Sequence, residues 1–159
     1  MSQALTAHGH PVKAGRIERK VKMAKYTIAL VFAALIFGVL DAVWLSWAGP
    51  NLYQPTIGEI MADDLNWVAA LTFYGLYLAG MTWFAIRPGL ENGAPRVALL
   101  NGALLGGLCY ATFDLTSQAV FTVWATHITL ADIAWGAFAT GVTSALACML
   151  TLKITRQPA

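Results

Sequence analysis

Four stretches of this chain are apolar for long enough to cross a bilayer, and nothing else in the sequence narrows the fold as much. A helical span needs about 20 mostly apolar residues to cover about 30 Å of hydrocarbon. The first stretch runs from Ala24 to Ala48 and the second from Trp67 to Ile86. The third runs from Pro95 to Phe121 and the fourth from Ile128 to Leu152. Gly and Pro punctuate the breaks at Gly49-Pro50 and Arg87-Pro88-Gly89, as expected where helices stop. Composition excludes the alternatives. Charged residues are 11% of the chain and hydrophobic ones 58%, too few charges to coat a water-soluble surface. The same apolar content excludes a disordered chain. With 14 Gly and 2 Cys, neither a collagen-like nor a disulfide-stapled chain fits. The expected fold is all-α, a polytopic membrane protein with four transmembrane helices in a compact bundle.

Basic residues orient the bundle. Lys13, Arg16, Arg19, Lys20, Lys22 and Lys25 precede the first span, Arg87 and Arg96 separate the second from the third, and Lys153 and Arg156 follow the fourth. The loops on the other side carry only Glu59, Asp63 and Asp64. The positive-inside rule then puts both termini in the cytoplasm, which an even number of spans requires. Trp44, Trp47, Trp67 and Trp124 fall near the outer boundary and Trp83 near the inner one, depths that Trp favours.

The expected organisation is a basic, disordered tail over residues 1–23, a membrane domain over 24–152, and a short cytoplasmic tail over 153–159. The first span is too long for a signal peptide and no small-residue cleavage site follows it. Met23-Ala-Lys-Tyr26 also reads as a natural start of a membrane protein, with Met1–Lys22 an extension or a poorly ordered tail. His8 and His10 read as solvated residues, and the basic run from Arg16 to Lys25 as a topology signal. Gly49-Pro50-Asn51 is expected to turn the chain. Within Asn51–Asp64, Leu52, Tyr53, Ile57, Ile60 and Met61 form the apolar face of an interfacial helix or belong to an irregular loop.

Asp41, Asp114 and Asp132 are the residues that bear on function. A charge at mid-membrane costs about 2.5–3.5 kcal/mol even on the most lenient scale, and no Lys, Arg or His lies deep enough to neutralise these. At about 1.5 Å per residue, Asp41 stands about 24 Å and Asp114 about 27 Å above the basic end. Asp132 begins the descent of the fourth span. One acidic site, open towards the outside, is therefore expected. Two carboxylates sharing a desolvated site repel each other, so at least one Asp is expected to carry a proton near neutral pH.

Periodicity supports the shared site. Ala98, Gly102, Gly106, Tyr110 and Asp114 recur every four residues along one face of the third span. Asp132, Gly136, Thr140, Ser144 and Cys148 form a similar stripe on the fourth. Gly102, Gly106 and Gly136 are expected to let the helices approach closely, and Tyr110 to donate a hydrogen bond to Asp114. Thr112, Thr116, Ser117, Gln118 and Asn101 add polar capacity. Asp41-Ala-Val-Trp44 and Asp132-Ile-Ala-Trp135 share the pattern D-x-x-W, a weak signal in a Trp-rich chain. Cys109 and Cys148 differ in depth by over about 10 Å, too far for a disulfide; two free, buried thiols are expected.

Leu40-Asp-Ala-Val-Trp-Leu45, the Tyr53–Ile60 segment, Asn66-Trp-Val-Ala-Ala70, Tyr110-Ala-Thr-Phe-Asp-Leu-Thr116 and Asp132-Ile-Ala-Trp-Gly136 resemble the bacterial membrane family DUF2177. The resemblance covers Lys25 to Leu152. It implies a four-span protein of the bacterial inner membrane, and it implies no activity and no catalytic residues.

Three functions fit, in this order of preference. The first is a small proton- or cation-coupled transporter or binding protein working through the three aspartates, with dimerisation to enclose a pathway. The second is a structural or accessory subunit whose aspartates hydrogen-bond between helices. The third is a lipid-modifying membrane enzyme with Asp114 or Asp132 as general acid or base, aided by His127 or Tyr110. No nucleophile–base motif, metal-ligand cluster or phosphate loop is present in the sequence, so a non-enzymatic role is preferred and no metal or cofactor is expected. The expected partners are membrane lipids, a small cation or proton, and a second copy of the chain. Nucleic acid is not among them at a net charge of +2.

Overall fold

Hydrocarbon offers no water to backbone N–H and C=O groups, so an apolar stretch in it must close its hydrogen bonds along itself. The computed structural model of the chain describes residues 11–155, with side chains from residue 21, and shows this throughout. Helix α1 spans Pro11–Ala48 and continues through a π-helical turn, Gly49–Tyr53, into α2, Gln54–Ile57, and a 3₁₀ turn, Gly58–Ile60. Helix α3 spans Trp67–Met81 and passes through a second π turn, Thr82–Ile86, into α4, Arg87–Glu91. Helices α5, Pro95–Val120, and α6, Thr126–Thr155, complete the fold. Four helical segments are long and apolar enough to cross a membrane: Val21–Ile60, Trp67–Glu91, Pro95–Val120 and Thr126–Thr155. No strand occurs among the described residues. The fold is an all-α polytopic membrane protein.

Three local expectations need correction. Residues 11–23, expected to be disordered, belong to α1. Extending a formed helix costs far less than nucleating one, and the Lys and Arg in this segment are good helix formers. Residues 1–10, with His8 and His10, and 156–159, with Arg156, lie outside the described residues. Gly49-Pro50-Asn51 does not turn the chain. Proline removes one N–H from the ladder, and the π turn around it takes up the mismatch while the Asn51 side-chain amide donates to the Trp47 carbonyl at 2.7 Å. Likewise, the helix does not stop at Arg87-Pro88-Gly89. It ends at Glu91, and Gly93 reverses the chain at φ 62°, where a side chain would be strained.

Burial differs from that of a water-soluble protein: Phe37, Met81, Ile86 and Ile128 are buried, but many large apolar side chains are not. Leu35, Val39 and Val43 of α1, and Leu104 and Leu108 of α5, are exposed. Asp114, Thr140, Thr143, Ser144 and Thr151 are buried. Large apolar side chains on the outside and small or polar ones inside are the pattern of helices packed in lipid. Helix α6 sits centrally, against α5 along most of its length and against α1, while α3 joins chiefly through its second π turn.

The contact between α5 and α6 rests on absent side chains. A Cβ on Gly106 would meet the Gly136 carbonyl, and one on Gly102 would stand 2.6 Å from Ser144 Oγ. A Cβ on Gly136 would enter the Tyr110 ring. The basic end is closed. Gly89 lies against Ala98 and Cys148, Lys25 Nζ donates to the Leu90 carbonyl at 3.4 Å, and Tyr26 donates to Glu91 Oε1 at 3.1 Å.

Candidate functional site

At the end of the bundle away from this cluster, the helices part around a cavity of about 790 Å³. Its walls carry Asp41 from α1, Tyr110 and Asp114 from α5, and Asp132 from α6. Aromatic side chains make up much of the rest: Trp44, Tyr53, Phe73, Tyr74, Tyr77, Phe113 and Trp124. All three aspartates are buried, with Asp114 at 0% exposure.

The antiparallel register of α5 and α6 sets Asp114 opposite Asp132. Below the pair, the Tyr110 ring crosses Gly136. Above it, Gln118 donates to Thr126 at 2.8 Å and accepts from Thr129 at 2.8 Å. Between these two rungs Asp114 and Asp132 sit on facing helices and line the same cavity. Two ionised carboxylates held together in an apolar site repel each other, whereas a proton on one of them removes the repulsion.

The two members differ in their other neighbours. Tyr53 donates to Asp132 Oδ1 at 2.6 Å, and Trp44 Nε1 donates to Tyr53 at 3.0 Å. The π turn carries Tyr53 there. One extra residue in a turn rotates everything after it by about 100°. By contrast, no N–H or O–H donor reaches either oxygen of Asp114. Asp41 has a separate partner in the Tyr74 hydroxyl. Among the described residues no three His, Cys, Asp or Glu side chains converge as metal ligands would, so Asp41 stands apart from the pair while facing the same cavity.

Trp44 and Trp135 stack with centroids 4.6 Å apart and planes 7° from parallel. The two D-x-x-W segments thus meet across antiparallel α1 and α6, each with an aspartate that accepts from a tyrosine.

A family comparison agrees with this architecture. The family described as "Predicted membrane protein (DUF2177)" matches residues 26–149. The chain belongs to the DUF2177 family. No curated protein and no solved structure matches it.

Several side chains in this DUF2177 protein are not where the sequence suggests. Tyr110 does not donate to Asp114. Gly136 leaves room for its ring to lie across α6, and neither Asp114 oxygen receives a hydrogen bond. Thr112 and Thr116 bond carbonyls of their own helix and face outward. Cys109 and Cys148 are both free, but Cys109 is exposed along the cavity rather than buried. His127 lies off the site, 3.5 Å from Thr56 Oγ1. Tyr53 and Tyr74, the donors to Asp132 and Asp41, have no distinguishing signal in the sequence: Tyr53 precedes the second span, and Tyr74 lies within it beside Tyr77.

Proposed function

We propose that this DUF2177 protein is a small proton- or cation-coupled binding protein or transporter, with Asp41, Asp114, Asp132 and Tyr110 facing the ligand. Its setting is the bacterial inner membrane, with both termini cytoplasmic and the cavity on the outer side. The orientation follows from the basic residues gathered at the closed end. One observation carries the reading: Asp114 is fully buried, lines a large cavity, and has no donor on either oxygen. A carboxyl left so in an apolar medium is unfavourable unless a proton or a ligand completes it. The groups around it from the other elements are Asp132, Tyr53, Asp41 with Tyr74, and Tyr110.

The experiment is thermal unfolding of the purified protein in detergent from pH 5 to 9, wild type against Asp114→Asn. Asn keeps the shape but cannot titrate. A group that binds a different number of protons before and after unfolding makes stability depend on pH. The wild-type midpoint is expected to move with pH and the variant's to move much less. Coincident profiles would remove the proton-coupled reading.

A second reading has its own support. Tyr53–Asp132 and Tyr74–Asp41 each tie one segment of the chain to another, as a purely structural subunit would need. Asp41→Asn and Asp132→Asn would then be tolerated, and no added cation would change the midpoint.

A further inference from the structure

We propose that Asp114 and Asp132 form an aspartic dyad that hydrolyses a peptide bond in an apolar, membrane-embedded segment. The inference rests on the reading above that the pair holds one exchangeable proton, and goes beyond it by assigning a reaction.

Hydrolysis of an amide needs a base to take a proton from water and pass it on to the departing nitrogen, and an acid to protonate the carbonyl oxygen. Two carboxyls that share one proton provide both from one pair. The neighbours decide which is which. Tyr53 donates to Asp132 and so favours its charged form. No donor reaches Asp114, so the shared proton belongs there. Asp132 is the general base, Asp114 the general acid, and Tyr53, held by Trp44, is a positioning residue. Asp114 lines the cavity, is 0% exposed and has no donor on either oxygen.

The reaction balances with water as the only co-reactant. As the water oxygen bonds to the carbonyl carbon, Asp132 takes a water proton and Asp114 gives its proton to the carbonyl oxygen. The tetrahedral diol then collapses. The C–N bond breaks, Asp132 returns its proton to the nitrogen, and a diol hydroxyl returns one to Asp114. A carboxylic acid and an amine leave, and the dyad is restored.

The cavity selects the substrate. Helices α3 and α5 have little contact outside the second π turn, and the exposed rings of Phe73 and Phe113 line the space at that end. A chain can therefore enter sideways from the bilayer. A cavity of about 790 Å³, within the about 300–1,000 Å³ of small-ligand pockets, holds only a few residues at a time. A short extended segment with apolar side chains fits. The proton that Asp132 holds after the first step is what lets the departing nitrogen leave as a neutral amine.

The test uses the full chain in detergent with short, internally quenched peptides of Leu, Phe and Ala. A companion set replaces the central amide with a secondary alcohol that mimics the diol. Wild type is expected to cleave the peptides, with new termini seen by mass spectrometry. Asp114→Asn and Asp132→Asn are expected to lose at least about 100-fold in kcat while still unfolding cooperatively. Tyr53→Phe is expected to displace the pH–rate profile rather than abolish turnover. The alcohol peptides are expected to raise the wild-type midpoint and not that of Asp114→Asn. The dyad is overturned by equal turnover in either Asn variant, or by wild type showing neither cleavage nor stabilisation by the alcohol peptides. Cleavage of a fatty-acyl ester probe alone would overturn the peptide assignment. If the wild-type midpoint still moves with pH and Asp114→Asn does not, only the hydrolytic inference falls; if the two pH profiles also coincide, the proton-coupled reading falls with it.

Discussion

At the basic end of the bundle, Gly89 sits against Ala98 and Cys148, and Leu90 is buried beneath a Lys25 bond to its carbonyl. At the other end the same spans separate around about 790 Å³ lined by aromatic rings and three aspartates. Small residues close the first region, and large rings hold the second open. The first region has the composition of a packed interface. The second keeps a buried carboxyl without a donor, which packing alone gives no reason to retain. The closed end supplies stability, and the open end uses some of it to hold polar groups in place. Changes that add bulk should break the closed contacts, whereas changes that remove a polar atom should act at the cavity.

The largest effect is expected midway, where α5 meets α6. Gly106→Ala puts a Cβ on the Gly136 carbonyl and 2.5 Å from Thr140 Oγ1. Backbone cannot yield as a flexible side chain does, so the loss should reach about 3 kcal/mol, the upper range for overpacking. Gly107→Ala is the control, since its Cβ would meet only Ala137 Cβ at an ordinary 3.6 Å. Chemical unfolding in mixed micelles should separate the two. Equal midpoints would mean that α5 and α6 are not in this register, and the facing of Asp114 and Asp132 would lose its support.

That register is also where the sequence was most informative. Spacing by four put Gly102, Gly106, Tyr110 and Asp114 on one face of α5, and it put Asp132, Gly136, Thr140 and Ser144 on one face of α6. Both sets lie where helices touch or line the cavity, because a helix fixes its own face. The four spans were equally legible, since apolar length alone requires them. Tyr53 and Tyr74 were not. Which hydroxyl reaches which carboxyl depends on how spans rotate against each other, and hydropathy carries no such information. The π turn at Gly49–Tyr53 was concealed further. Gly-Pro ordinarily ends a helix, and only the rest of the fold shows that this one continues.

A smaller effect is expected from the cavity's hydrogen bonds. Tyr53→Phe removes the donor to Asp132 and leaves the ring in place. A bond to a charged group contributes about 1.5–3 kcal/mol, and Trp44 Nε1 loses its acceptor as well, so the loss should be about 2 kcal/mol. Tyr77→Phe removes a bond between two neutral hydroxyls, Tyr77 and Thr140 at 2.7 Å, and should cost about 1 kcal/mol. Equal losses would mean that Asp132 carries no charge in the folded protein. The general-base role would then pass to Asp114.

The smallest effect should be a gain. Nothing lies within 4 Å of a Cβ built on Gly75 of α3, on the side of the bundle where α3 has few neighbours. Alanine inside a helix is favoured over glycine by about 0.5–1 kcal/mol, so Gly75→Ala should raise the midpoint slightly. The same measurement bears on the proposed homodimer. Glycine on a lipid-facing surface also lets a second helix approach closely, and an added methyl there would push a second copy away. A rise in midpoint that is independent of protein concentration leaves α3 facing lipid. A fall that deepens on dilution, with a shift towards monomer in analytical ultracentrifugation, places the partner copy on α3. In that case the gap between α3 and α5 would be covered by the second chain, and a substrate could not reach Asp114 and Asp132 by that route.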